Sequence, residues 1–222
     1  MGGTLTAMQR RARIAVALLV AAGPLLATAG PAPAGAAGAR AAATPLAAAI
    51  SRAKARYADE ANGPVVHAQL RRVARDPALL TALRSGSATA LRAAALHELF
   101  LPHKHVVRLR IVLGGRTLVD VGGRFVANGP QTVLRAGGRN LGTLQISIQD
   151  IIGYVKLIHR HAGGEAVVRG QAGHEETSLP AAPPASLPAQ GAVAVGGHRY
   201  AVGSFRETGF GGEPLRVWIF AG

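Results

Sequence analysis

The chain has 222 residues, with 25 Lys and Arg against 11 Asp and Glu, a formal net charge of +14 and no Cys. The missing cysteine excludes disulfides, thiolate metal ligands, cysteine nucleophiles and lipid attachment through a cysteine. Aromatic residues are only 4% and the arginines are scattered singly through apolar segments, which argues against a nucleic-acid surface despite the charge.

Residues 1–34 have the layout of a secretory signal peptide. Arg10, Arg11 and Arg13 precede an apolar core from Ile14 to Ala22, and small residues follow, with cleavage-type triplets at Ala27-Thr28-Ala29 and Ala32-Pro33-Ala34. The run is short for a membrane span and is broken at Gly23-Pro24. Setting aside the three leader arginines leaves a mature charge of about +11. Residues 35–44 form an Ala/Gly/Pro tether without periodicity. No later segment is long and apolar enough to span, so the sequence predicts a secreted, soluble protein with no transmembrane segment after the leader.

From Pro45 the apolar period is helical. Leu46, Ile50 and Tyr57 share a face until Asn62-Gly63-Pro64 ends the segment, and Val65, Val66, Leu70 and Val73 continue in a second helix. Asp76 and Pro77 are a natural N-cap and first helical residue for a third, through Leu79, Leu80 and Leu83 to Ser85-Gly86. Ser87 opens a fourth through Leu91, Ala95, Leu96, Leu99 and Phe100, closed by Pro102.

Beyond His105 the period falls to two. Val107, Leu109, Ile111 and Leu113 alternate with Arg108, Arg110 and Val112, and Gly114-Gly115 turns the chain into Thr117 to Val121. Leu144, Ile146 and Ile148 alternate with Gln145, Ser147 and Gln149, predicting a half-buried strand with those polar residues on its outer face. Asp150 then caps a helix carrying Ile151, Ile152, Tyr154, Val155 and Ile158, and Gly163 stands at its C-terminal end. A short strand at Glu165 to Arg169, a Pro-rich loop from Leu179 to Gln190, and strands near Arg199 to Phe205 and Leu215 to Phe220 complete the chain. The expectation is an α+β fold in a single domain over 45–222. A helical part at 45–102 packs on an antiparallel sheet part at 103–222 that has one inserted helix.

The hairpin segment RLRIVLGGRTLVDVGG (Arg108 to Gly123) and the strand-helix segment GRNLGTLQISIQDIIGYVKLI (Gly138 to Ile158) carry a resemblance. Together with the leading helices they resemble the Cache (PDC) family of extracytoplasmic, PAS-like sensor domains. The resemblance covers about residues 45 to 222 and implies a PAS-like sheet and a small-molecule ligand. Two features depart from the family. The aromatic-and-arginine run of its amino-acid-binding members is missing, and no transmembrane helix or signalling module is expected after Gly222. The resemblance therefore implies sensing or carrying by an unattached domain, and it supplies no ligand-binding residues.

The residues themselves offer few chemical constellations. His103 and His105 share a face of an extended chain but have no carboxylate-rich partner, so no metal is expected, and no cofactor motif is present. His159 and His161 fit the C-terminal end of a helix, where cations complement its dipole. Ser147 and Ser204 lack the setting of a nucleophile, and Glu175-Glu176 reads as solvated, so no enzyme is expected. Arg108 and Arg110, on the polar parity of the first strand, are the candidates for clamping a carboxylate, with Arg135, Tyr154 and Tyr200 as weaker additions. The function this predicts is non-catalytic binding of a small organic anion. The alternative is a secreted interaction module whose basic surface meets the anionic cell envelope.

Overall fold

The computed structural model describes residues 44–102 and 105–222. The leader expected at 1–34, and the tether at 35–44 except for Thr44, lie outside the described residues. Four helices come first: α1 (Pro45–Asn62), α2 (Pro64–Val73), α3 (Pro77–Ser85) and α4 (Ala88–Phe100). Their starts follow the capping chemistry. Thr44, Asp76 and Ser87 each accept a hydrogen bond from the backbone N–H three residues on, and Pro45, Pro64 and Pro77 occupy first helical positions where no N–H is needed. Gly86, at φ 68°, closes α3 in the left-handed conformation.

Strands β1 (Arg108–Leu113), β2 (Arg116–Gly122), β3 (Gln131–Ala136) and β4 (Arg139–Ser147) form one antiparallel sheet in the order β2-β1-β4-β3. Helix α5 (Ile151–His161) follows. Then β5 (Glu165–Arg169), β6 (Glu175–Thr177), β7 (Gln190–Val195), β8 (His198–Thr208) and β9 (Pro214–Ala221) form a second, in the order β6-β5-β9-β8-β7. Three hairpins, β1–β2, β3–β4 and β7–β8, turn on the pairs Gly114-Gly115, Gly137-Gly138 and Gly196-Gly197, all six residues at positive φ. Such turns match the right-handed twist of the strands, and only glycine adopts them without strain.

The α+β architecture, with helices first and one helix inserted among antiparallel strands, is as the sequence predicts. The strands, however, divide between two sheets. Each sheet has its own core. Leu109 and Ile111 of β1 and Leu144 and Ile146 of β4 pack with Val66, Leu70, Leu79, Leu91 and Ala95 of α2, α3 and α4. Val168, Val217 and Ile219 of the second sheet pack with Ala49, Ala53 and Tyr57 of α1 and with Tyr154, Val155 and Ile158 of α5. The second sheet's other face is roofed by the Pro-rich loop, with Leu179, Ala181 and Leu187 over Val167, Val202, Trp218 and Phe220.

Burial of β4 differs from the half-buried expectation. Gln145 and Ser147, on its polar parity, are 4% and 0% exposed. The segment between β2 and β3 folds back over them. Gln145 Nε2 donates to Asn128 Oδ1 at 2.9 Å and to the Gly129 carbonyl at 3.2 Å, and Ser147 Oγ donates to the Gln149 carbonyl at 3.2 Å. A side chain at position 129 would start 1.7 Å from the Ile146 carbonyl, so this close crossing requires glycine.

Candidate functional site

On the helix-free face of the first sheet, the β1–β4 register sets Arg108 opposite Ser147, Arg110 opposite Gln145 and Val112 opposite Thr143. Gln131 of β3 pairs with Gln145 from the other side. Alternation therefore gathers two arginines, two glutamines, a threonine and a serine on one surface. Where this surface opens, Arg110, Gln131, Thr143 and Gln145 supply the polar lining of a cleft of about 300 Å³, and Val112 with the Gly114-Gly115 turn supplies its wall. The volume suits a small organic molecule.

The two arginines are treated differently. Arg108 is neutralised: its Nε and Nη2 meet Asp120 Oδ1 and Oδ2 at 2.9 and 3.0 Å, and its Nη1 donates to the Arg124 carbonyl at 3.1 Å. Arg110 has no carboxylate among the described residues; its one side-chain hydrogen bond is Nη2 to Gln145 Oε1 at 3.4 Å. Both guanidinium groups lie over the Phe210 ring, 4.9 and 5.5 Å from its centroid. Phe210 comes from the β8–β9 connection in the second sheet. The adjacent Gly211 leaves room for the Arg110 guanidinium, since a Cβ there would stand 2.8 Å from Nη1. The result is a half-buried cation, held on an aromatic shelf and without an ion pair of its own, since Asp120, opposite it on β2, is bonded to Arg108.

Hydrogen bonds continue from this floor into the second core. Gln145 reaches Asn128, whose backbone N–H donates to Tyr57 Oη at 3.1 Å, and Tyr57 Oη donates to the Thr208 carbonyl at 2.7 Å. Burial pushes the Tyr57 hydroxyl up to about 12, the Asn128 N–H working against it and the carboxylates of Glu207 and Glu213 adding to the rise. Burial likewise raises Glu207 above the usual carboxylate value, with Lys54 opposing.

The other candidates stand elsewhere. Arg135 is exposed on β3, opposite Asn140. Tyr154 is fully buried in α5, and its hydroxyl donates to the Ala53 carbonyl at 2.9 Å. Tyr200 lies on the second sheet, edge-on to Phe220. His103, half of the chelating pair weighed above, lies outside the described residues. Of the five predicted site residues, Arg108 and Arg110 are brought together. The same site uses Gln131, Thr143, Gln145 and Phe210, which sequence reasoning missed.

A larger cleft, about 420 Å³ between α1 and α5, is a poorer candidate. Its Arg52 donates twice to the Ala162 carbonyl, at 2.9 and 2.6 Å, as a cap on α5. Its Arg56 faces Asp59 and Glu60 at 3.6 and 3.7 Å. Both cations are already engaged.

No family model matches the chain. No curated protein matches it. Two solved structures are similar to it, both crystal structures of the periplasmic domain of Vibrio cholerae LuxQ, one of them of the selenomethionine protein. Each is 16% identical over 79% of this chain, covering 97% and 95% of the LuxQ chains, with TM-scores of 0.47 and 0.48. At that distance no ligand and no role passes from one protein to the other. Among the described residues no helix is long and apolar enough to cross a membrane.

Proposed function

We propose that the chain is an exported, Cache-like domain that binds a small organic anion without transforming it, the carboxylate of the ligand pairing with Arg110. The observation that carries this reading is the half-buried Arg110 guanidinium, which faces the 300 Å³ cleft without an ion pair among the described residues, because the acid opposite it in the β1–β2 register, Asp120, is engaged by Arg108. A buried or half-buried cation without a counter-ion is costly, and a carboxylate ligand would supply the missing charge through two parallel hydrogen bonds. Gln131, Thr143 and Gln145 would hold the remainder of the ligand. Arginine, amide and hydroxyl groups keep one protonation state near neutrality, which suits recognition rather than acid–base chemistry. Export and the Cache-like character are supported by the leader layout at 1–34 and by the hairpin and strand-helix segments at 108–123 and 138–158.

Thermal unfolding of the full chain against a panel of mono- and dicarboxylates, with the matching amides as controls, tests the proposal. A ligand at one hundred times its Kd should stabilise the fold by about 2.7 kcal/mol. The expected result is stabilisation by one or more carboxylates and not by their amides, lost in Arg110→Gln. Stabilisation that Arg110→Gln retains, or none across the panel, overturns it.

A further inference from the structure

The outer face of the second sheet, the one beneath the Pro-rich loop, carries a row of arginines. Pairing sets Arg216 of β9 directly opposite Arg169 of β5 on one side and Arg206 of β8 on the other. Arg169 lies two residues from Val167, Arg216 two from Trp218 and Arg206 four from Val202, all side chains of the outer core, so alternation points all three to that face. Three guanidinium side chains thus cross three adjacent strands in one line. Like charges directly opposite each other destabilise a sheet, so the row is a cost unless something neutralises it.

Among the described residues only one of the three is neutralised. Arg169 pairs through Nε with the Glu175 carboxylate and donates from Nη1 and Nη2 to the carbonyls of Ala185 and Pro184 at 2.7 and 2.8 Å, so its fork is full. Arg216 is positioned but not neutralised. Its Nε and Nη2 both donate to Ser204 Oγ, at 3.2 and 2.8 Å, and its guanidinium lies 5.6 Å from the Trp218 ring centroid. Ser204 Oγ in turn donates to the Ala189 carbonyl at 3.0 Å, which fixes it as an acceptor for Arg216. Nη1 of Arg216 is left over. Arg206 is exposed and makes no ion pair or side-chain hydrogen bond among the described residues.

We propose that Arg206 and Arg216 form an oxyanion site that takes a phosphate group. Two opposed guanidinium groups call for about two negative charges, which a phosphate carries near pH 7 and a single carboxylate does not. Guanidinium forks also match the oxygen geometry of phosphate. Stacking on Trp218 and the two bonds to Ser204 pre-orient one fork, so little side-chain freedom is lost when the anion arrives. The site lies on the opposite sheet from the Arg110 cleft and does not rest on the reading of that cleft.

The phosphate can belong to a small molecule or to a polymer, and two probes separate them. The full chain is titrated by calorimetry with inorganic phosphate and, separately, with long-chain polyphosphate, at constant ionic strength. Saturable binding is expected, weakened roughly tenfold or more in Arg206→Gln and in Arg216→Gln, the scale of a lost charge-assisted contact. It is expected to be unchanged in Arg110→Gln, which separates this site from the cleft, and in Arg71→Gln, a distant exposed arginine that controls for general charge. Tight polyphosphate with weak inorganic phosphate, both lost in Arg206→Gln, supports a polymer source; comparable affinities support a small one. Should Arg216→Gln fail to fold without its stacked side chain, Arg206→Gln removes no ion pair or side-chain hydrogen bond among the described residues and decides the matter alone. Unsaturable binding, or an equal loss in Arg71→Gln and Arg206→Gln, overturns the site.

Discussion

Tyr57 shows how much a single hydroxyl can hold. It projects from α1, packs edge-on against Tyr154 with ring centroids 5.1 Å apart, and bonds at once to the Asn128 N–H and the Thr208 carbonyl. Tyr57→Phe keeps the ring and leaves both backbone groups short of a partner, at an expected cost of about 1–3 kcal/mol in urea unfolding at neutral pH. The same residue should govern alkaline stability. Burial raises its pKa from 10 to about 12, so the folded state keeps a proton that the unfolded chain gives up near pH 10. The stabilising effect is complete below pH 10 and is lost as pH rises through 12. At about 1.4 kcal/mol per pH unit, that window is worth about 3 kcal/mol. Tyr154, raised in the same direction by burial, adds to the slope. Urea unfolding measured from pH 9 to 12 should therefore show a steep decline that becomes shallower in Tyr57→Phe; equal slopes in the two proteins would rule Tyr57 out as the titrating group.

Among the elements, the joint between α2 and α4 is the most exposed to damage. Glu98 of α4 is 1% exposed, and its Oε2 stands 2.6 Å from Arg72 Nη1 of α2. Arg72 Nε is held by Gln69 Oε1 at 2.9 Å, while both Glu98 carboxylate oxygens and Arg72 Nη2 are buried without hydrogen bonds. A buried pair with incomplete partners adds little net stability, yet removing one member strands the other. Arg72→Ala should cost about 3–5 kcal/mol, whereas Arg72→Met with Glu98→Leu should recover most of that loss, both read from urea midpoints. A double variant as unstable as the single would mean that the pair itself, rather than the stranded charge, supplies the stability.

These elements differ in how far the sequence discloses them. Caps at Asp76, Ser87 and Asp150 and the Gly114-Gly115 turn are local chemistry, so helix starts and the β1–β2 hairpin could be read directly. Strands β3 and β7 could not: β7 is built of small residues, largely exposed, and offers no alternation to follow. The division into two sheets depends on which edges pair, and both sheets present the same alternation. In the site, parity alone placed Arg108 and Arg110 on one face. What distinguishes them is Asp120, which claims Arg108, and the shelf under both is Phe210, which arrives from 100 residues away along the chain. Alternation puts Gln145 on the outer face, yet it is buried because its cover, Asn128 and Gly129, comes from an irregular segment with no sequence period.

At the scale of the whole molecule, the two cores share no buried residue, and they meet through backbone bridges, the Tyr57 hydroxyl and the stacking of Arg108 and Arg110 on Phe210. Ala127 bridges Gly209, Val126 bridges Asp150, the Phe210 N–H donates to the Val126 carbonyl at 3.2 Å, and Tyr57 ties Asn128 to Thr208. Contacts of this kind are few beside those within each core, and cooperative opening follows contact density. Native-state hydrogen exchange at rising denaturant should therefore resolve two sets of amides. One comprises β1 and β4 with α2–α4, the other β8 and β9 with α1 and α5, and each should open at its own free energy. Because Arg110 stands on the first sheet and Phe210–Gly211 on the second, a carboxylate held at Arg110 should raise protection in both sets and draw their opening energies together. Tyr57→Phe, which cuts a tie between them, should drive the two energies further apart. One common opening energy for every core amide, with and without Tyr57, would show instead that these few bridges suffice to make the sheets a single cooperative unit.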